Sequence, residues 1–141
     1  LKNIMYSARL GEGAKRESEP LRAKPSKNLV DMVGSVGKIR REKIYARFGT
    51  ASTSRPADLV RYRCVGMEYV DMALGILDFA EYGNLKPWDH AAGLLLLKEA
   101  GGHAAYVASK REYVPGPIDR SRLIATRTEQ NWPDIERFLS D

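Results

Sequence analysis

The clearer hydrophobic pattern lies in the second half of the chain. From Gly66 to Leu77, apolar residues fall at Met67, Val70, Ala73, Leu74 and Leu77, a spacing that predicts a helix with one buried face. Trp88 to Ala100 predicts a second helix, closed by Gly101-Gly102, where glycine takes a left-handed cap at little cost. Leu94 to Leu97 is apolar on every side, so this helix should be covered on more than one face. Leu59–Arg63, Asp78–Tyr82, His103–Val107 and Arg122–Thr126 read as strands. Asn131 is placed to cap a last helix, Trp132–Ser140, with Pro133 tolerated in its first turn.

The first half is more polar. Ile4–Arg9 reads as a strand, and Gly11-Glu12-Gly13-Ala14 as a tight turn into another extended piece. Glu17–Asn28 holds Pro20 and Pro25 and reads as a loop or irregular edge; Asn28–Val33 reads as a short strand ending at Gly34. Ile39, Tyr45 and Phe48 sit among charges at near-helical spacing, predicting a helix over Lys38–Phe48 closed by Gly49. The Ser/Thr/Pro-rich stretch 51–58 is a connection. Strands and helices alternate through most of the second half. The expected fold is therefore α/β, a layered sandwich of a mixed, largely parallel sheet with helices on both faces.

With 141 residues, 43% of them hydrophobic, the chain is long enough for one core, and residues 1–141 are expected to form a single domain. No run approaches the roughly 18 apolar residues of a membrane span. The single cysteine, Cys64, excludes an internal disulfide framework and a Cys-rich zinc site, and is expected to be a buried, inert thiol. No basic-apolar-small pattern marks the N-terminus, so a cytoplasmic location is expected. Charge is uneven: residues 1–63 carry 15 basic and 6 acidic side chains, residues 64–141 carry 8 and 12. Lys38, Arg40, Arg41, Lys43 and Arg47 form the densest basic stretch, with Tyr45 the aromatic among them. No nucleic-acid-binding signature accompanies it, so a solvated face, or one that meets an acidic partner segment, is favoured over nucleic acid.

Asp89 opens the second apolar helix after a strand, a loop and Pro87. A carboxylate there can cap free N–H groups and suit the helix dipole. Alternatively, held beyond the carboxyl edge of a sheet, it can reach a ligand crevice and offer hard oxygen to Mg²⁺. His90 and His103 lie thirteen residues apart without a matching ligand set, and His90 is expected to be half-buried or solvent-facing. Gly11-x-Gly13 lacks the third glycine and helix of a dinucleotide loop. Asp71 and Asp78, flanking the first predicted helix, are expected at the surface or as caps.

Trp88-Asp89-His90-Ala91-Ala92-Gly93, running on to Glu99-Ala100-Gly101-Gly102, resembles the C-terminal signature of the inositol monophosphatase family, Mg²⁺-dependent and lithium-sensitive sugar phosphatases. Arg63-Cys64-Val65-Gly66 resembles the family's Arg-Ser-x-Gly segment, and Tyr6-Ser7-Ala8 with Gly11–Ala14 its glycine-rich hairpin. The resemblance implies hydrolysis of an inositol phosphate or a related sugar or polyol phosphate by metal-activated water. It implies two or three Mg²⁺ ions in the intact enzyme, with Asp89 as a metal ligand. Gly66, Met67 and Glu68 map to the substrate pocket, although many members carry small residues at the last two positions. A pocket glutamate of many members falls on Tyr82, with Glu81 one step earlier and turned to the opposite strand face. The family's upstream Glu-Glu pair and Asp-Pro-x-Asp-Gly-Thr motif have no counterpart in residues 1–141. Residues 1–141 then correspond to a C-terminal half whose metal-binding N-terminal half is absent, with no catalytic residue of its own and no activity alone. Other family substrates, namely histidinol phosphate, fructose bisphosphate and nucleotide 3′-phosphates, stay open. So does a non-catalytic basic module binding nucleic acid or an acidic protein. The partners implied are a small phosphate ester, the N-terminal half of the same chain and, as is common in the family, a second copy in a homodimer.

Overall fold

The computed structural model describes residues 3–51 and 53–140; residues 1, 2 and 141 lie outside the described residues, as does residue 52 of the 51–58 connection. Strands β1 (Tyr6–Arg9), β2 (Gly13–Arg16) and β3 (Glu19–Leu21) form an antiparallel sheet in that order. Strands β4 (Val33–Ser35), β5 (Asp58–Val60), β6 (Phe79–Tyr82), β7 (His103–Tyr106) and β8 (Leu123–Thr126) form a larger sheet in the order β5-β4-β6-β8-β7. β4 runs parallel to β5 and β6, while β8 runs antiparallel to β6 and β7. Four strands thus share one direction and β8 opposes them.

Helices α1 (Lys38–Phe48) and α4 (Trp132–Leu139) cover one face of this sheet, where Ile44, Trp132, Ile135 and Leu139 pack on Phe79 and Ile124. Helices α2 (Val65–Leu74) and α3 (Pro87–Glu99) cover the other, where Tyr69, Met72, Leu94 and Leu97 pack on Ala80, Leu123 and Ala125. The three-stranded sheet forms a further layer outside α2 and α3, joined by Ala14, Leu21, Val70, Ala73, Leu96 and Ala100. The class is the expected α/β sandwich with a mixed sheet. The all-round apolar character of α3 follows from its position between two sheets, each buried leucine contributing about 1.5–3 kcal/mol. Gly34 and Gly93 admit close packing, since a Cβ at either would strike the ring of Phe79 or Tyr69 respectively.

Several sequence expectations shift. Asn28–Val33 is not a strand: Leu29–Asp31 is a 3₁₀ turn, and β4 begins at Val33. The polar stretch 17–28 contains β3, an edge strand able to hold Pro20 because an edge leaves one side of its backbone unpaired. The strand expected to run to Arg63 stops at Val60. α2 ends before Leu77, at Gly75, whose left-handed backbone (φ 75°, ψ 20°) bonds back to Asp71 and Met72. Asn131 does not cap α4 with its side chain; its amide donates to the Lys27 carbonyl and its Oδ1 accepts from Thr128.

Two of the expected surface groups are buried. Asp78 is 2% exposed, accepts from the Val33 N–H at 2.8 Å, and pairs with Lys27 at 3.2 Å. Arg127 Nε lies 3.0 Å from its other oxygen, an ion pair too bent to form a hydrogen bond. His90 is also buried, and its Nδ1 lies 2.7 Å from the Tyr69 hydroxyl. Cys64, by contrast, is exposed, since it stands at the N-cap of α2 on the open rim of the sheet. No helix is long and apolar enough to cross a membrane among the described residues.

Candidate functional site

Parallel strands β4, β5 and β6 end together at Ser35, Val60 and Tyr82, and each is followed by a helix that starts at the same edge. The N-termini of α1, α2 and α3 therefore lie around one rim, where exposed N–H groups favour anions. A hollow of about 160 Å³ opens there, lined by Ser35, Gly37, Arg61, Tyr62, Glu68, Glu81 and Tyr82.

Glu68 is the unusual group. In the first turn of α2 it is 5% exposed, with the Ser35 hydroxyl donating to its carboxylate. Burial pushes its pKa above the ordinary 4.5, opposed by the Ser35 and Tyr82 hydroxyls. The Tyr82 hydroxyl is buried without a well-formed hydrogen bond, and burial together with Tyr69 and Glu68 raises its pKa well above 10. Tyr62, at the lip, is pushed up to about 12, first by its hydrogen bond with Asp71. His90 lies beneath, its pKa lowered from 6.5 by burial, against the opposing influence of the Asn84 backbone and Asp89. Its ring stands edge-on to Tyr82, with centroids 4.9 Å apart.

Tyr82 packs on the α2/α3 side, while Glu81, its strand neighbour, turns to the α1 side. Glu81 accepts two bonds from Arg40 (3.1 and 3.2 Å) and two from Arg122 (2.8 and 2.5 Å). No spacing rule pairs Glu81 with these arginines, because Arg122 lies 41 residues after it and Arg40 as many before it. Gly66 and Met67 are exposed at the start of α2, and a Cβ at Gly66 would meet no atom within 4 Å. No backbone packs there, so the opening is free for a ligand.

Asp89 is exposed in the first turn of α3, whose N-cap is Lys86, and makes no capping hydrogen bond. It carries the hard oxygen donors that Mg²⁺ prefers. Among the described residues, no three His, Cys, Asp or Glu side chains converge to hold a metal ion. Asp89 stands outside any such cluster. A separate hollow of about 300 Å³ lies at the other end of α3, where Lys98 and Glu112 pair at 2.7 Å.

Residues 1–136 match the model of the inositol monophosphatase family. The chain belongs to this family. It is similar to Nus factor SuhB of Salmonella typhimurium, 33% identical over 108 residues, which cover 72% of this chain and 40% of the relative. It is also 33% identical over 106 residues to a fructose-1,6-bisphosphatase/inositol-1-monophosphatase of Thermotoga maritima, covering 72% of this chain and 39% of that one. Among solved structures, an IMPase of Thermotoga maritima superposes with a TM-score of 0.79 at 23% identity, covering 98% of this chain and 52% of that one. The inositol monophosphatase of Anabaena gives 0.75 at 24% identity, covering 97% and 56%. At these identities the likeness shows the fold. The chain spans about two fifths of the length of these curated relatives.

Proposed function

We propose that residues 1–141 are the C-terminal part of a Mg²⁺-dependent phosphatase that hydrolyses a phosphate monoester of a sugar or polyol. The observation that carries this reading is Asp89: a carboxylate left exposed and uncapped at the start of α3, at the sheet edge where α1 and α2 also begin. In the intact enzyme Asp89 would supply one metal ligand, with the remaining carboxylates coming from an N-terminal half. Bound divalent metal would polarise the phosphate and lower the pKa of an attacking water. This chain's own groups would hold the ester. The helix N-termini at the rim face its anionic oxygens, Gly66 leaves room for it, and Met67 bounds it on an apolar side.

Glu68, Glu81 and Tyr82 complete the substrate-binding set. Buried and with its pKa raised, Glu68 can meet a substrate hydroxyl either as acceptor or, protonated, as donor. Tyr82 places a phenol where a carboxylate would contact an inositol hydroxyl, which favours a different polyol. A cytoplasmic homodimer is the assembly that accords with this reading.

The test is phosphate release from a panel of sugar phosphates by the intact enzyme, its N-terminal half included, with and without Mg²⁺. Release that requires Mg²⁺ is expected, and Asp89→Asn should lower it by about a hundredfold or more. An unchanged rate and Mg²⁺ dependence in that variant would reject the assignment. The five basic residues of α1 favour a second reading, binding of nucleic acid or an acidic protein without catalysis. No release from any ester, together with steeply salt-dependent RNA retention, would select it.

A further inference from the structure

Beside the rim hollow, and sharing Gly37, Glu81 and Tyr82 with it, lies a second depression of about 350 Å³ between α1 and the start of β8. Arg40, Lys43 and Arg122 line it against one carboxylate, Glu81. The hydrogen-bonding account leaves cationic capacity over. Arg40 commits Nε and Nη2 to Glu81, and Arg122 commits Nε and Nη2 to Glu81 and the Leu139 carbonyl. Both Nη1 groups, and the Lys43 ammonium, lack a partner among the described residues. Glu81 thus acts as a bracket that fixes two guanidinium planes while neutralising only one positive charge of three. The first turn of α1 carries no acidic side chain to offset this field.

Two arginines held by one carboxylate, with a lysine one turn along the helix, suit a planar or tetrahedral oxyanion, which guanidinium groups bind through paired N–H donors. We propose that this depression is an anion subsite for a phosphate-sized dianion. Resting on the phosphatase reading for its source, that dianion is the second phosphate of a bisphosphorylated substrate whose reacting phosphate lies nearer Asp89.

The full chain, metal-free in EDTA, is titrated with inorganic phosphate by calorimetry. Saturable binding is expected, weakened about tenfold or more by Lys43→Glu and by Arg40→Gln. Lys15→Glu, an equal charge reversal on exposed β2, should leave it unchanged. Lys43 is exposed, so its variant reports on the depression even if Arg40→Gln unfolds by stranding Glu81. Equal binding by Lys43→Glu and the parent, or equal weakening by Lys15→Glu, overturns the subsite. In the Mg²⁺-loaded intact enzyme, N-terminal half included, Lys43→Glu should lower kcat/KM for fructose 1,6-bisphosphate about tenfold and spare fructose 1-phosphate. Equal effects on both esters would refute the second-phosphate source. Absence of turnover with every ester would refute the phosphatase reading while leaving the phosphate titration to judge the subsite alone.

Discussion

The two ends of strand β6 handle buried carboxylates in opposite ways. At its amino end, Asp78 stands among counter-charges: one oxygen accepts from a backbone N–H and from Lys27, and the buried Arg127 lies 3.0 Å from the other. At its carboxyl end, Glu68 receives one serine hydroxyl, and the adjacent Tyr82 hydroxyl lacks a proper partner. Both carboxylates are almost wholly hidden from solvent, and burial pushes the Glu68 pKa up. Burial alone therefore does not separate an acid paired with cations from one without them. What separates them is the counter-charge: Lys27 and Arg127 pair with Asp78 at the closed edge, and among the described residues no cation pairs with Glu68 at the open one.

The sharpest way to break this contrast is Asp78→Ala. It leaves Arg127 buried without its counter-charge and should cost about 3–5 kcal/mol in chemical denaturation. A loss below 1 kcal/mol would show that the closed edge is no tighter than the open one. Tyr69→Phe comes next: it strips the hydroxyl from His90 Nδ1 and should cost about 1 kcal/mol, read as a lower Tm.

The smallest effect carries an inverted sign. The folded state opposes ionisation of Glu68, so the parent loses stability as pH rises from 4.5 through the raised value. Glu68→Gln should therefore stabilise by about 1 kcal/mol or less at pH 8 and give no gain near pH 4. Destabilisation at pH 8 would mean that Ser35 and Tyr82 already satisfy the charge.

Much of this was legible in the sequence where local chemistry decides. α1 runs from Lys38 to Phe48, because Gly49 closes a pattern written within eleven residues. Asp89 stands at the start of α3, because Pro87 fits a first turn and the apolar run follows directly. The failures concern partners distant along the chain. Asp78 is buried because Lys27 and Arg127 reach it from about fifty residues away on either side, which no spacing rule encodes. His90 is buried because α2 presents Tyr69 to it, and β3 exists because β2 offers an edge that a proline-bearing strand can join. Residue type alone places Cys64 in the interior, and the open rim overrides it. Glu81 resembled an ordinary strand carboxylate until the fold brought Arg40 and Arg122 around it.

β8 has a consequence for synthesis on the ribosome. It is the last of the described strands to be made, yet it lies between β6 and β7, so β7 has no neighbour in the sheet until residues 123–126 emerge. The first three strands of the large sheet can pair as they appear, but Ala80 and Phe79 lack their Ala125 and Ile124 cover until then. A ribosome stalled before residue 123 would hold a chain with an open apolar seam, the state in which a chaperone is most needed.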